Sequence, residues 1–394
     1  MRPIRTERRK EFLNRRYPEP LHPVRPCLTG SSLAAAVRLT GPPRPDKLFI
    51  MPTRRAFLAA AGLLGGAPPG AFPAAEAGVV RAVVDPGAGS EFQTIQRAID
   101  HVLDHPPRHL VRVIIEIRPG VYRERVKVPR DKVNFVFAGQ DAASTRISGA
   151  MSAAAAGGTF FSPIVEVNGN GFEARNITFE NTFGVGSQAV ALSVHSDRAV
   201  FRNCRFSGWQ DTLYAAWGRQ YYRDCYIEGH VDFIFGDAGA VFDGCEIHSR
   251  GSGYIAAHSR NTPYAATGFI FRGSKLTGEP GLLRGARPQP GGAETPFPPK
   301  DSGKGVFLGR PWRDCARTVF LNCWMGEHIR PEGWDNWGDA AREKTAWYAE
   351  LGSSGPGANP AARVTWARTL NRATAAQFAP DAFLKGRDGW NPLR

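Results

Sequence analysis

The chain has 394 residues, of which 42% are hydrophobic and 22% are charged, and it contains 44 glycines and 31 prolines. This composition excludes a disordered or collagen-like protein and allows a sizeable hydrophobic core. The net charge of +14 suggests a polyanionic partner, but residues 1–50 alone carry 11 basic against 4 acidic residues. Residues 79–394 hold 37 basic and 31 acidic residues without a run of Lys or Arg, which argues against nucleic-acid binding.

The N-terminal region is predicted to direct export. Within residues 51–77, the twin arginine Arg54-Arg55 precedes an apolar stretch at 56–67, and Ala75-Glu76-Ala77 has the Ala-x-Ala pattern of a cleavage site. These features are similar to a twin-arginine export signal. The apolar stretch is shorter than the roughly 20 residues that a membrane-spanning helix requires. We therefore expect a periplasmic or secreted protein without a membrane span.

Residues 1–50 are rich in proline and arginine and show no hydrophobic periodicity. We interpret them as an upstream extension that results from a start codon assigned too early, with Met51 as the true start. A disordered basic arm is the alternative. Residues 79–394 are predicted to form a single domain.

An internal repeat predicts the architecture of that domain. Three segments alternate apolar and polar residues around a central cysteine, and three weaker copies flank them; the segments are 199–208, 220–229 and 240–249, flanked by 171–180, 269–278 and 318–327. The central cysteines are 21 and 20 residues apart. A repeat of this length, with short strands and Gly or Asn turns, predicts one coil of an all-β parallel β-helix. Leucine-rich repeats are similar in length, but their leucine frame is absent.

Short helices are predicted to cap the β-helix, because an uncovered coil is an exposed sheet edge. Ser90-Glu-Phe-Gln93 has the pattern of a capping box, and the apolar residues that follow it recur at helical spacing. The first strand is then predicted at 111–117. The Gly- and Pro-rich segment 281–305 is interpreted as a surface loop, and the region around 374–378 with Trp390 as the cover of the far end.

Residues one coil apart in such a fold become neighbours about 4.8 Å apart. Asp211 and Asp232 are 21 residues apart, and Gln188 and Gln210 are 22 apart, so each pair is expected to stack. Two adjacent carboxyl groups cannot both ionise cheaply, so one keeps its proton and the other remains charged. The two amides can donate hydrogen bonds to an oxygen that gains negative charge. This set predicts acyl transfer, with a carboxylate nucleophile, a carboxylic acid and an oxyanion hole.

One feature of the pattern opposes this arrangement. Gln210 and Asp211 are consecutive, and consecutive residues of a regular strand face opposite sides of a sheet. Both can line one site only if the chain bends there, for example in a turn after Gly208.

Five motifs together resemble the pectinesterase (pectin methylesterase) family: Gly120-Val-Tyr-Arg-Glu124, Gln188-Ala-Val-Ala-Leu192, Gly208-Trp-Gln-Asp-Thr-Leu-Tyr214, Val231-Asp-Phe-Ile-Phe-Gly236 and Leu308-Gly-Arg-Pro-Trp312. The resemblance implies a right-handed single-stranded parallel β-helix and an exported bacterial enzyme. It implies hydrolysis of methyl esters in pectin, that is, methylated homogalacturonan, with release of methanol and pectate. It implies neither a metal nor a cofactor, and we expect a monomer.

The resemblance also implies roles for individual residues. Asp232 corresponds to the nucleophile, Asp211 to the general acid and base, and Gln188 and Gln210 to the oxyanion donors. Arg310 corresponds to the residue that keeps Asp232 ionised. A guanidinium beside one member of a carboxyl pair suits that role, because it determines which member carries the charge.

Further residues are expected to bind substrate. By the resemblance, Trp312 stacks on a galacturonate ring, Thr159 contacts substrate and Arg250 binds a galacturonate carboxylate. Tyr214 is one of several aromatic residues that can offer a flat face to sugar rings, although packing within the core is the alternative. His230, two residues before Asp232, is a candidate for influencing the pH optimum or an ordinary turn residue.

The cysteines permit a disulfide in an exported protein. Cys225 and Cys245 are one coil apart, and the resemblance favours a bond between them. Cys204 stacks equally well, so a ladder of free buried thiols is the alternative.

Other functions remain open at the level of sequence. A polygalacturonase or a lyase of the same fold is one rival. Inverting glycosidases need carboxyl groups about 6.5–9.5 Å apart, whereas a retaining pair at about 5–5.5 Å would fit stacked residues. The amides and Arg310 favour an esterase over these enzymes. An esterase of another substrate and a non-catalytic carbohydrate-binding β-helix are the remaining alternatives.

Overall fold

The computed structural model of the chain describes residues 78–87, 89–102, 112–280, 282 and 305–394. The predicted extension at 1–50 and the predicted export signal at 51–77 lie outside these residues, as does most of the predicted loop at 281–305. Within the described residues, no helix is long and apolar enough to cross a membrane.

Three parallel sheets, A, B and C, form the domain, and between residues 112 and 325 the chain adds strands to sheets A, B and C in regular succession. The predicted parallel β-helix is therefore confirmed. Sheet A contains β1 Val79–Val84, β2 Arg112–Ile117, β5 Phe135–Gly139, β8 Glu173–Arg175, β11 Ala199–Arg202, β14 Arg219–Arg223, β17 Gly239–Asp243, β20 Gly268–Arg272, β23 Arg317–Leu321, β25 Trp347–Leu351 and β26 Arg368–Thr369. Sheet B contains β3 Gly120–Tyr122, β6 Thr145–Gly149, β9 Thr178–Asn181, β12 Arg205–Ser207, β15 Tyr226–Gly229, β18 Glu246–Ser249, β21 Lys275–Gly278 and β24 Trp324–Met325. Sheet C contains β4 Val126–Val128, β7 Val165–Val167, β10 Leu192–His195, β13 Leu213–Trp217, β16 Ile234–Gly236, β19 Gly253–His258 and β22 Val306–Gly309.

The helices are short. They are α1 Ile95–His101, α2 Ala153–Ala156, α3 Arg342–Thr345, α4 Arg372–Ala376 and α5 Pro380–Phe383, with 3₁₀ turns at Thr159–Phe161 and Pro360–Ala362.

The repeat builds the interior by stacking like residues. The aromatic residues at the third position of the repeat in sheet A pair from strand to strand, with ring centroids 4.5–4.9 Å apart and planes within 13° of parallel: Phe201, Tyr222, Phe242, Phe271 and Phe320. Register between coils is thereby fixed by side chains as well as by the backbone ladder, because a shift of one residue would expose this column.

The central cysteines of the repeat do not form the predicted disulfide. The cysteines of the described chain all have free thiols: Cys204, Cys225, Cys245, Cys315 and Cys323. The Cys225 thiol donates to the carbonyl of Arg223 at 3.3 Å, and that of Cys245 to the carbonyl of Tyr222 at 3.4 Å. Burial raises the pKa of the Cys225 thiol, so the thiolate required for exchange is disfavoured.

The N-terminal cap differs from the prediction. The first strand is β1 rather than the segment at 111–117, which is the second, and α1 begins after Thr94 rather than at Ser90. The carboxylate of Glu124 accepts hydrogen bonds from the N–H groups of Ile95 and Gln96, at 2.8 and 3.0 Å. Free N–H groups at a helix N-terminus favour such an acceptor. The Gly-x-Tyr-x-Glu motif therefore anchors the cap.

The C-terminal segment also lies elsewhere than predicted. Phe378, Leu384 and Trp390 pack against the outer face of sheet A, where Val200, Tyr221, Val241, Ile270 and Val319 are buried. They do not cover the far end of the β-helix, where Trp366 instead contacts Tyr348 of the last coils. Apolar side chains on the outer face of sheet A need such a cover. The alternating pattern of the strands predicts only one buried face, so it does not indicate this second one.

Candidate active site

Two turns bring the predicted acids together. Asp211 lies in the turn between β12 and β13, and Asp232 lies one coil later between β15 and β16. The N–H of Asp211 donates to the carbonyl of Val231 at 3.1 Å, which keeps the two turns in the 21-residue register. Both aspartates have left-handed backbone conformations, with φ of 63° and 50°. Aspartate tolerates this conformation better than most residues, and the bend removes the strict alternation of a strand.

The two glutamines occupy equivalent positions on adjacent coils. The N–H of Ala189 donates to the carbonyl of Gln210 at 3.1 Å, which corresponds to a spacing of 22 residues. Both side chains are half-buried, and within the described residues neither amide makes a hydrogen bond to the protein. Each amide therefore retains its N–H donors for a bound oxygen atom.

Arg310 follows the last strand of sheet C and reaches back to Asp232. Its Nε and Nη2 donate to the two carboxylate oxygens of Asp232 at 2.8 and 2.6 Å. The side chains are 13% and 8% exposed, so solvent screens this bidentate pair weakly. Burial alone would lower the pKa of Arg310, but the charge of Asp232 raises it overall, so the guanidinium stays protonated.

Asp211 is in the opposite electrostatic situation. Its side chain makes no hydrogen bond to any described residue, and the residue is only 8% exposed. Burial raises the pKa of Asp211 well above its usual value of 3.8, and the negative charge of Asp232 is the second cause of this increase. The raised pKa favours the protonated form of Asp211, whereas Asp232 forms the ion pair with Arg310. The arrangement provides one carboxylic acid and one carboxylate side by side.

An aromatic face lies next to the acids on the outer side of sheet C. Tyr214 stacks on Phe235 with ring centroids 4.6 Å apart, and Trp312 lies 5.9 Å from Phe235. Phe160 completes the face at 5.2 Å from Tyr214 and is 41% exposed. Phe160 was not predicted from the sequence, although its neighbour Thr159 was expected to contact substrate. No repeat contains this residue, so spacing offered no signal.

Two of the predicted substrate-binding residues are engaged within the protein. Thr159 is buried, at 7% exposure. The guanidinium of Arg250 lies 4.0 Å from the ring centroid of Trp209 and donates to the carbonyl of Gly208 at 3.1 Å and to Glu228 at 3.4 Å. These contacts brace the turn that carries Gln210 and Asp211.

His230 is neither a solvent-facing turn residue nor a group that titrates near neutral pH. Its ring packs edge-on against Trp209 at 5.5 Å. Burial lowers its pKa to about 4, so the imidazole is neutral above about pH 4.

Two aromatic residues that sequence reasoning missed enclose Arg310. The guanidinium carbon lies 3.8 Å from the ring centroid of Tyr254 and 3.7 Å from that of Trp337. Tyr254 lies in β19, and Trp337 lies beyond the last repeat.

A grouping of three or more His, Cys, Asp or Glu suited to a metal ion is not found among the residues that the structure describes.

Comparison with known proteins points to one family. The family model described as pectinesterase matches residues 81–387. Pectinesterase 31 of Arabidopsis thaliana is 39% identical over 76% of this chain and 90% of its own length. Probable pectinesterase/pectinesterase inhibitor 21 of the same plant is 37% identical over 79% of this chain, but this chain spans only 44% of its length. The solved pectin methylesterase from carrot is 32% identical and superposes with a TM-score of 0.69, covering 81% of this chain and 96% of that one.

Proposed function

Because the chain belongs to the pectinesterase family, we propose that it hydrolyses the methyl esters of galacturonate units in pectin and releases methanol and pectate. The observation that carries the proposal is the asymmetry of the two acids. Arg310 forms a bidentate ion pair with Asp232 alone, and the adjacent Asp211 is buried without such a partner. This asymmetry suits a division of labour between nucleophile and acid.

The proposed reaction has two halves. A carboxylate oxygen of Asp232 attacks the ester carbonyl, and the amides of Gln188 and Gln210 donate hydrogen bonds to the resulting oxyanion. When the intermediate collapses, Asp211 gives its proton to the departing methoxide, which leaves as methanol. Asp211, now a carboxylate, takes one proton from water as the water oxygen attacks the galacturonyl carbon of the anhydride. The Asp232 carboxylate is regenerated, and the galacturonic acid group that leaves then gives its remaining proton to solvent. Asp211 is protonated again at the end of the cycle.

The sugar rings are proposed to lie on the aromatic face of Phe160, Tyr214 and Trp312. Flat apolar rings beside an acid pair suit a polysaccharide whose reacting group must be held against the nucleophile. Contacts of Arg250 with Trp209 and Glu228 favour a role for that residue in bracing the Gln210 turn rather than in binding a galacturonate carboxylate.

Product analysis tests this function against its rivals. Highly methylated pectin incubated with the purified chain should yield methanol and free carboxylates at unchanged chain length. New reducing ends would indicate a glycosidase, and unsaturated ends a lyase. Methanol release from simple methyl esters but not from pectin would indicate an esterase of another substrate. No product in any assay would leave only a binding role and refute the proposal.

The oxyanion role of the glutamines predicts a specific kinetic defect. Gln188→Ala and Gln210→Ala should each lower kcat about 10²–10³-fold with little change in KM, since the donors act mainly in the transition state. Gln377→Ala, which removes an exposed amide in the C-terminal segment, is the control and should leave kcat unchanged. Unchanged kcat in either active-site variant would contradict the assignment.

We also propose that the chain is an exported bacterial member of the family and acts as a monomer. Support for export comes from the sequence pattern of residues 51–77 alone, with its twin arginine Arg54-Arg55 and its Ala-x-Ala ending. These residues lie outside those that the structure describes.

A further inference from the structure

The guanidinium of Arg310 is held by one carboxylate and two aromatic rings. Its edge is bound by the carboxylate of Asp232 through two hydrogen bonds, and the rings of Tyr254 and Trp337 lie 3.8 and 3.7 Å from its central carbon. The Arg310 side chain is 13% exposed, which lies between the 5% of Arg363 in its pair with Glu350 and the 40% of Arg146 in its pair with Glu180. Low exposure is thus shared with another described pair, and the active-site pair is distinguished by the two rings that lie against its guanidinium.

We propose that Tyr254 and Trp337 are positioning residues that fix the plane of the Arg310 guanidinium against Asp232 and so keep the negative charge on that carboxylate. This inference rests on the proposed function, because it concerns the residue assigned as the nucleophile. The two rings act through Arg310 and do not themselves take part in bond making or breaking.

The rings of Tyr254 and Trp337 together form a clamp on the Arg310 guanidinium, and physical reasons support the need for it. An arginine side chain has four rotatable bonds, and holding it in one geometry costs conformational entropy. Its planar cation binds a carboxylate best when the two groups are coplanar. Aromatic faces attract the cation and exclude water that would otherwise compete for its N–H groups. Two rings therefore restrict the guanidinium to the one plane in which both hydrogen bonds form.

The clamp is itself anchored. Trp337 has a left-handed backbone with φ of 59°, and its N–H donates to the carboxylate of Asp335 at 2.7 Å. The N–H of Asp335 donates to the carbonyl of Gly309, the residue before Arg310, at 3.2 Å. On the other side, Tyr254 stacks on Phe307 with ring centroids 5.4 Å apart and planes 8° from parallel. Both rings are thus fixed relative to the backbone of Arg310.

Several ionisable groups surround this assembly and bear on its pH dependence. Those that interact electrostatically with Asp232 or Arg310 are Asp211, His230, Tyr254, Asp335 and Tyr348. His230 is neutral above about pH 4, since burial lowers its pKa to about 4. Burial likewise raises the pKa of both tyrosines, so they are neutral throughout the acidic range. The acid limb of the activity profile therefore reports on the carboxyl groups and on how firmly Arg310 holds Asp232.

The test compares ring removal with ring retention. Tyr254→Leu and Trp337→Leu should each lower kcat about tenfold and move the acid limb of the pH–kcat profile up by about one pH unit. Tyr254→Phe and Trp337→Phe keep a ring over the guanidinium and should restore kcat and the acid limb to within about twofold and a few tenths of a pH unit. For Tyr254→Leu, KM should change less than about twofold.

Trp390→Leu is the matched control, because it removes a ring over another ion-paired guanidinium, that of Arg219, whose carbon lies 5.4 Å from the ring centroid on the outer face of sheet A. This change should lower the thermal midpoint about as much as Tyr254→Leu while leaving the acid limb in place. If Tyr254→Leu also leaves the acid limb in place, the rings only fill space and the proposal is wrong.

A second measurement does not depend on activity. The Nε–H signal of Arg310 in ¹⁵N-edited NMR spectra can be assigned by its loss in Arg310→Lys. It should exchange slowly with solvent in the wild type and at least about tenfold faster in Tyr254→Leu, but not in Trp390→Leu. This result with a wild type that releases no methanol would refute the proposed function and leave the clamp standing. Equal exchange in all variants would refute the clamp.

Discussion

Replacing Asp232 with asparagine is expected to abolish methanol release, with kcat reduced at least about 10⁴-fold, while the β-helix remains folded. Asparagine has nearly the same shape but lacks the charge and nucleophilicity that the first half-reaction requires. The substitution also leaves the buried Arg310 guanidinium without its counter-ion. Breaking a buried pair in this way costs about 3–5 kcal/mol, so the thermal midpoint should fall as well.

Methanol release from methylated pectin and thermal unfolding by circular dichroism measure the two effects. Asp224→Asn is a suitable control, because Asp224 has the same left-handed backbone, with φ of 52°, but its side chain is 66% exposed at another corner of the β-helix. It should retain full activity and the wild-type midpoint. Methanol release by Asp232→Asn above about 1% of the wild-type rate would overturn the assignment of the nucleophile, even if the fold were intact.

The sequence contained enough information to predict the coil of the fold and the meeting of the two acids. Parallel pairing converts a spacing of 21 residues into adjacency, so Asp211 and Asp232 could be placed together by counting. Counting requires an uninterrupted repeat, and Arg310 lies beyond the insertion at 281–305. Its approach to Asp232 could be expected only from the resemblance of Leu308-Gly-Arg-Pro-Trp312 to a family motif.

Other features depend on information that spacing does not carry. The left-handed backbone at Asp211 and Asp232 lets neighbouring side chains share one site, but a sequence does not specify the sign of φ at an aspartate. Tyr254 and Trp337 meet only across Arg310, one from a strand and one from a loop after the last repeat. The C-terminal segment covers the outer face of sheet A rather than the far end of the β-helix, because apolar outer positions of a strand cannot be told from core positions by their sequence pattern. The predicted disulfide between Cys225 and Cys245 is absent, because two thiols can be adjacent without forming a bond.

Replacing Asp211 with asparagine is expected to lower kcat and to increase the free energy of unfolding. Asparagine cannot donate a proton to methoxide or accept one from water, so kcat should fall about 10²–10⁴-fold. The same change removes a carboxyl group whose pKa burial and Asp232 raise well above 3.8 in the folded state. Such a carboxyl group does not destabilise the folded state below its pKa in the unfolded chain, where it is protonated in both states. As pH rises from that value to the folded-state pKa, only the unfolded chain ionises, so the free energy of unfolding falls.

The stability difference between Asp211→Asn and the wild type should therefore be small near pH 3 and grow above about pH 4, by up to about 1.4 kcal/mol for each pH unit, until Asp211 ionises in the folded protein. Urea unfolding at a series of pH values measures this difference. Asp224→Asn again serves as control and should show no growing difference, since its carboxylate is exposed. A variant that loses activity without gaining stability above pH 4 would mean that Asp211 is already ionised in the folded enzyme. The proton given to methoxide would then have to come from another group, because a carboxylate that has ionised has no proton to donate.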